Sequence, residues 1–411
     1  MVYVISKQGR PLMPCTEAKA RKLLRDGKVS VKSRTPFTIK LLFDCEEETQ
    51  EVVAGMDTGS KVIGSACISN GKVLYQSEIY LRTDVKTKMD RRRIYRRTRR
   101  GRKCRYRKSR WANRASMKKK DRLSPTIQSK LNSHLREKKF IESILPVSKW
   151  TLELASFDIH KISNPEVQGE YYREGDLKNY YNVKQYVLER DTYKCQHCNG
   201  RSKDNRLHVH HIIFKSRGGS DHQDNLVTLC KTCHDNFHKG KIELNLKGKK
   251  SITKHATEMG ILKSQLKKRF GEFKETFGYK TKFKREQILN LSKSHYNDAV
   301  AICFEEGEVF KLLNTVLIKK QVCKGDYQQT KGVRSEKKIP TGKLFGFRKF
   351  DKVKTPIGIG FIKGKRSTGY FSISDIFGNV IGSSVNIKKS VKRIATRKIN
   401  LMEVKAVSSQ S

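Results

Sequence analysis

No run of apolar residues in this 411-residue sequence reaches the ~18 that a membrane-spanning helix needs, and the amino-terminal MVYVISKQGRPLMP lacks the apolar core of a signal peptide. Acidic residues are also in short supply. Asp and Glu number 40 against 89 Lys and Arg, a formal net charge of +49, far past what solubility requires. An imbalance of that size calls for a polyanion. With nothing to suggest a membrane, nucleic acid remains, and a cytoplasmic location (prokaryotic cytosol or nucleoid) is expected. Cysteine is sparse: six of the ten, Cys15, Cys45, Cys67, Cys104, Cys303 and Cys323, are scattered singly, which argues against a disulfide framework and for a reducing compartment. The length allows about two to three domains, with room for a real core in at least one.

The other four cysteines stand in two Cys-x-x-Cys pairs, Cys195/Cys198 and Cys230/Cys233. That spacing brings four thiolates around one tetrahedral Zn²⁺. Four thiolates leave no open coordination position, so this zinc is structural and staples a segment too short to bury much core of its own. Chemistry in the same stretch must come from its histidines and Asn225. His210 and His211 are adjacent, so on a strand they face opposite ways; His234 and His238 are four apart, so on a helix they share a face. His210, His234 and His238 could hold a hydrated divalent ion through neutral nitrogens, leaving His211 to take a proton from an attacking water. The ordered pattern Cys-x-x-Cys, His-His-Ile, Gly-Gly, Asn-Leu, Leu-Cys-x-x-Cys-His resembles the zinc-stabilised HNH endonucleases over residues 183–240. The resemblance implies that His211 is the general base, Asn225 the middle motif residue, and His210, His234 and His238 the ligands of the catalytic ion.

The rest of the chain is organised around three acids. Residues 1–50 read as a small α/β unit: a strand at Val2–Ile5, a rigid Pro-Leu-Met-Pro turn at Pro11–Pro14, a helix capped by Thr16 and ended by Gly27, then strands at Val29–Val31 and Phe37–Phe43. Strands are predicted over 51–57, 62–68 and 72–79, with Asn70-Gly71 as a two-residue hairpin. Asp57 ends the first of them. Lys86–Lys120 carries 19 Lys or Arg against one acid, Asp90, a run that repels itself and is expected to be at most partly helical until phosphates neutralise it. Its candidate RNA contacts are Arg91, Arg92, Arg93, Arg96, Arg97, Arg99, Arg100, Arg102, Arg105, Arg107, Arg110 and Arg114, with Tyr95, Tyr106 and Trp111 offering stacking surface. A helix capped by Ser124 and stopping at Pro146 follows, then a strand at Trp150–Leu154 carrying Glu153. After the HNH stretch, Ile261–Phe277 reads as a basic amphipathic helix. His295 and Asp298, three apart, share one face of a later helix. Asp57, Glu153 and Asp298, with His295, are the groups needed to hold two Mg²⁺ ions (or Mn²⁺) about 4 Å apart on a scissile phosphate.

Strands, hairpin, interrupted strand and helix in this order resemble the RuvC nucleases, and the whole arrangement resembles the IscB family of transposon-encoded RNA-guided endonucleases, relatives of the CRISPR type II effectors. That resemblance covers residues 1–325. It implies an α/β fold with a ribonuclease-H-like (RuvC) core in three sequence pieces, interrupted by an arginine-rich helix and a zinc-stabilised ββα HNH domain and followed by a small C-terminal β-barrel. The implied segments are a Pro-Leu-Met-Pro domain (1–50), RuvC-like parts at 51–85, 123–165 and 241–325, a bridge helix (86–122), a linker (166–182), the HNH domain (183–240) and a β-rich domain reading target-flanking DNA or RNA (326–411). It further implies a monomeric ribonucleoprotein in which a guide RNA selects double-stranded DNA, HNH cutting the paired strand and the RuvC-like site the displaced one. Two other readings use the same residues: a protein-only mobile-element endonuclease, and a non-catalytic RNA-binding derivative.

Overall fold

The computed structural model describes residues 1–100, 122–154, 182–214, 219–244, 246, 254–305, 307, 310–323, 345–366, 368–386 and 391–407. Arg102, Arg105, Arg107, Arg110, Arg114 and the expected linker up to residue 181 lie outside them. The chain divides into two compact units, one from residues 1–155 and 261–411 and the other from 156–260.

The first unit opens with β1 (Val2–Ile5), β2 (Pro11–Cys15), α1 (Glu17–Arg25), β3 (Val29–Arg34) and β4 (Phe37–Leu41), strand order β2-β1-β4-β3. Thr16 Oγ1 caps α1 by accepting from Lys19 N at 3.3 Å, and Gly27, at φ +67°, ends it as a left-handed C-terminal residue should. The Pro-Leu-Met-Pro segment is not a turn. It is strand β2, at the sheet's edge, where the missing proline N–H groups cost no ladder bond.

A seven-stranded sheet follows, in the order β11-β8-β5-β6-β7-β12-β18. Its centre is the meander β5 (Val53–Asp57), β6 (Val62–Ser69), β7 (Lys72–Tyr80), turned at Asn70 and Gly71 with φ of 46° and 68°, the geometry an Asn-Gly hairpin supplies. The chain then runs through α2 (Val85–Arg100) and α3 (Pro125–Glu142), which pack together, into β8 (Lys149–Glu153), parallel to β5. Helix α3 ends before Pro146, with Ser143 as its C-cap. On α2, Arg91, Arg92, Arg93, Arg96 and Arg97 are all exposed.

The second unit holds α4 (Val183–Arg190), β9 (Leu207–His211), β10 (Leu226–Cys230) and α5 (Lys231–His238), a ββα arrangement behind a leading helix. Next comes α6 (Lys254–Arg269). The basic helix expected to reach Phe277 stops here: Gly271 at φ +93° breaks it, and β11 (Lys274–Thr276) pairs instead with β8. The first unit continues with α7 (Gly278–Phe283), passing into a π-helical turn over Lys284–Ile288, then α8 (His295–Cys303) and β12 (Thr315–Gln321). Strands β13 (Lys352–Thr355), β14 (Gly358–Lys365), β15 (Tyr370–Ser374), β16 (Val380–Asn386) and β17 (Lys392–Ala395) form a five-stranded antiparallel sheet around Val353, Ile362 and Phe371. Among the described residues its outer strands β16 and β17 do not pair, so the expected barrel is an open sheet. The last strand, β18 (Asn400–Ala406), leaves it to pair with β12 in the large sheet.

The two faces of the large sheet differ sharply. On one, α8 sits directly on the backbone: a Cβ on Gly55 would lie 2.5 Å from Cys303 Sγ, and one on Gly64 would lie 1.8 Å from the His295 carbonyl oxygen. These glycines, with Ala66 and Ala299, let helix and sheet approach closely. Gly64→Ala is therefore expected to displace the start of α8 and destabilise the fold by on the order of 1–3 kcal/mol; a thermal melt matching wild type would contradict the packing. On the other face, α3 buries Glu137 among Ser65, Tyr75, Ser77 and Lys319. Lys319 Nζ lies 2.7 Å from Glu137 Oε2, and all three hydroxyls donate to Oε1 at 2.7–3.1 Å.

Candidate active sites

In the ββα unit, register explains the adjacent histidines. His210 opposes Val227 and His211 opposes Leu226 across the β9–β10 pair, so the two imidazoles project to opposite faces. His210 is buried, His234 of α5 half-buried and His238 exposed, and ligand nitrogens of all three lie within 4.8 Å of one another. Its Nε2 is buried with no hydrogen-bond partner. A buried imidazole nitrogen left in this way fits an ion better than a protein donor. Burial and the neighbouring histidines lower the His210 pKa to about 4, so the ring is neutral at physiological pH, as a ligand must be. His208, two residues back along β9, stacks on His234 with centroids 5.2 Å apart.

His211 faces elsewhere. Its Nε2 lies 2.8 Å from Asp221 Oδ1, an acid to which the motif reading gave no role. With Nε2–H donated to Asp221, Nδ1 is left as the basic nitrogen. Asn225 is fully buried and all its polar capacity goes to backbone: Oδ1 accepts from Ile213 N at 2.9 Å, and Nδ2 donates to Ile213 O and Ser220 O at 3.0 and 2.8 Å. It closes the loop that carries Asp221. Gly219 is required there, because a Cβ would lie 1.7 Å from Ile213 O.

The four cysteine sulfurs lie within 4.8 Å of one another, with Cys198 and Cys230 at 3.8 Å. Tetrahedral Zn–S bonds of ~2.3 Å place sulfurs roughly 3.8 Å apart, so the cluster fits zinc. Cys233 N donates to Cys230 Sγ at 3.4 Å, the kind of backbone support that orients metal thiolates. Structural zinc contributes on the order of 10 kcal/mol to the folding of small metal domains. Cys230→Ser is therefore expected to lose the zinc, the unit's cooperative melt and HNH cutting together; retained zinc content and a normal melt would overturn the assignment.

The second cluster is on the large sheet. Asp57 pairs laterally with Glu153 on β8 and with Gly64 on β6, and Gly64 with Glu78 on β7, so Glu153, Asp57 and Glu78 form one row on the α8 face. Asp57, His295 and Asp298 bring ligand atoms within 4.8 Å of one another. His295 Nδ1 is 2.6 Å from Asp57 Oδ2, and that hydrogen bond raises the His295 pKa against partial burial. Burial, then the charge of Asp57, raises Asp298, which Arg285 opposes with Nε at 2.7 Å from Oδ1. Glu153 stands outside this trio. Burial and the charges of Asp57 and Asp298 raise its pKa, while a hydrogen bond from Thr281 lowers it. Glu78, which accepts from His295 N at 3.2 Å, and Arg285 were not foreseen. Asp221, Glu78 and Arg285 have no local signal, because each reaches its site through tertiary structure: loop closure for Asp221, strand register for Glu78 and the π-helical turn after α7 for Arg285.

A ββα unit with a cysteine cluster that fits zinc, an imidazole cluster around the buried His210 and a carboxylate-supported histidine has the groups of a nuclease module. Residues 195–240 match the HNH endonuclease family and residues 2–175 the RRXRR protein family. Over 60 residues the chain is 33% identical to Anaredoxin of Nostoc sp. (strain PCC 7120 / SAG 25.82 / UTEX 2576), covering 15% of this chain and 76% of that protein. It is 35% identical over 65 residues to the type IV methyl-directed restriction enzyme EcoKMcrA of Escherichia coli (strain K12), covering 14% of this chain and 24% of that enzyme. The chain carries an HNH endonuclease domain. No helix among the described residues is long and apolar enough to cross a membrane.

Proposed function

We propose that the protein is an RNA-guided DNA endonuclease of the IscB type, with HNH cutting the guide-paired strand and the Asp57 cluster, on a RuvC-like sheet, cutting the displaced one. What carries this reading is the presence in one chain of an HNH module and a second acid–histidine cluster, on a sheet whose strands come from both sides of that module. The RRXRR match and the exposed arginines of α2 support an RNA partner.

In the HNH site, His210, His234 and His238 would hold the ion and His211 Nδ1 would take the proton of the attacking water, with Asp221 fixing the tautomer. Asn225 positions the loop behind them. In the second site Asp57 and Asp298 would ligate, Glu153 would turn in to complete the set, and Arg285 and His295 balance the carboxylate charge. A bound Mg²⁺ or Mn²⁺ supplies charge at the scissile phosphate and acidifies water there.

The test is cleavage by the protein with its copurifying RNA, on DNA matched to that RNA and on a scrambled sequence. Cutting of the matched target alone is expected. Equal cutting of both, or cutting unaffected by removal of the RNA, would leave a protein-only endonuclease.

A further inference from the structure

Beside the Asp57 cluster the surface carries aromatic rings that serve no core. Phe277 is 45% and Tyr279 68% exposed, an unusual cost for adjacent large rings unless something covers them. Their planes are nearly parallel, 13° apart with centroids at 6.0 Å, so flat groups laid on them would share one stacking direction. Gly278 between them rests on the Glu153 carboxylate, where a Cβ would lie 3.0 Å from Oε1. The rings are thus tied to a candidate metal ligand. Tyr279 also lines a cavity of about 1260 Å³ with Phe283, four lysines (Lys149, Lys274, Lys280 and Lys284) and three acids (Glu272, Glu275 and Glu305).

We infer that Phe277 and Tyr279 are a stacking platform for the unpaired bases of single-stranded DNA entering the Asp57 site. Exposed, nearly parallel rings suit a chain of flat bases, every one of which has a face to stack whatever its identity, and the chain's net charge of +49 suits the polyanion that carries them. A duplex offers no such face along its length, so the surface selects single strands. The inference rests on reading the Asp57 cluster as the nuclease for the displaced strand.

The experiment uses the full chain with its copurifying RNA and a fluorescein-labelled oligo-dT strand, read by anisotropy across a salt series. Phe277→Ala/Tyr279→Ala is expected to weaken binding on the order of 10- to 100-fold, with the salt slope unchanged because no charge is removed. Tyr279→Phe should keep wild-type affinity. An abasic strand should bind the wild type as weakly as oligo-dT binds the double variant. Unchanged affinity, an equal loss on abasic strands, or a loss confined to oligo-U RNA would overturn the platform. Should Phe277→Ala lower the melting temperature, Tyr279→Ala alone carries the test at the more exposed ring. Asp57→Ala separates the two ideas. If it leaves displaced-strand cutting intact while the ring variants still lose oligo-dT, the nuclease reading fails and the platform stands; if it abolishes cutting while the ring variants bind normally, the platform fails alone.

Discussion

His211→Ala is expected, on the proposed RNA-guided reading with His211 as general base, to lower cutting of the guide-paired strand by ~10²- to 10⁴-fold and to leave the other strand cut at its wild-type rate. The reason is spatial. His211 projects to the face opposite His210 and belongs to neither the histidine nor the cysteine cluster, so its loss removes no candidate metal ligand. Strand-specific end-labelling reads the outcome: a nick in the displaced strand only. Equal loss on both strands would contradict two independent sites. Asp221→Asn tests the support for the base. It should reduce the same cut by less, because an amide oxygen can still accept from Nε2–H and keep the ring in place.

Glu137→Ala should be the most destabilising single change on the large sheet, by about 3–5 kcal/mol, the range for breaking a buried ion pair. Lys319 is 0% and Glu137 2% exposed, and removing the carboxylate strands an ammonium over the Phe140 ring, 3.6 Å from its centroid, with three hydroxyls that lose their acceptor. The double variant Glu137→Leu/Lys319→Met should recover most of that loss, because it leaves no charge behind. Burial already holds the Lys319 pKa below lysine's ordinary value with Glu137 beside it. In Glu137→Ala the deficit should therefore be full at low pH and shrink as rising pH removes the lysine's proton. Denaturant melts of the three proteins across pH check both points; a double variant as unstable as Glu137→Ala would show that packing, not charge, dominates there.

Much of the site could be read along the chain because its residues sit in strong local patterns. The Cys-x-x-Cys pairs, the adjacent histidines and the His-x-x-x-His spacing translate directly into knuckles, opposite strand faces and one helix face, and the structure places them so. Asp57 at a strand end and His295 with Asp298 on one helical turn were visible for the same reason. Local pattern failed where the outcome depended on neighbours. Pro-Leu-Met-Pro reads as a turn and becomes a strand only because an edge position excuses its missing N–H groups. Residues 274–276 carry a helix-like basic pattern, yet pair with β8 once Gly271 has ended the helix.

The sequence by itself determined the charge that demands a polyanion, the zinc knuckles, the HNH motif and the candidate acids, since each follows from composition or from short-range periodicity. Only the tertiary structure decided which groups meet. Strand register put Glu78 in line with Asp57, helix packing over Gly64 set the height of His295, a closed loop carried Asp221 to His211, and the chain's last described strand crossed back to β12. Such contacts join residues tens to hundreds of positions apart. They are fixed by the burial of whole faces and the pairing of whole strands, which no local spacing encodes.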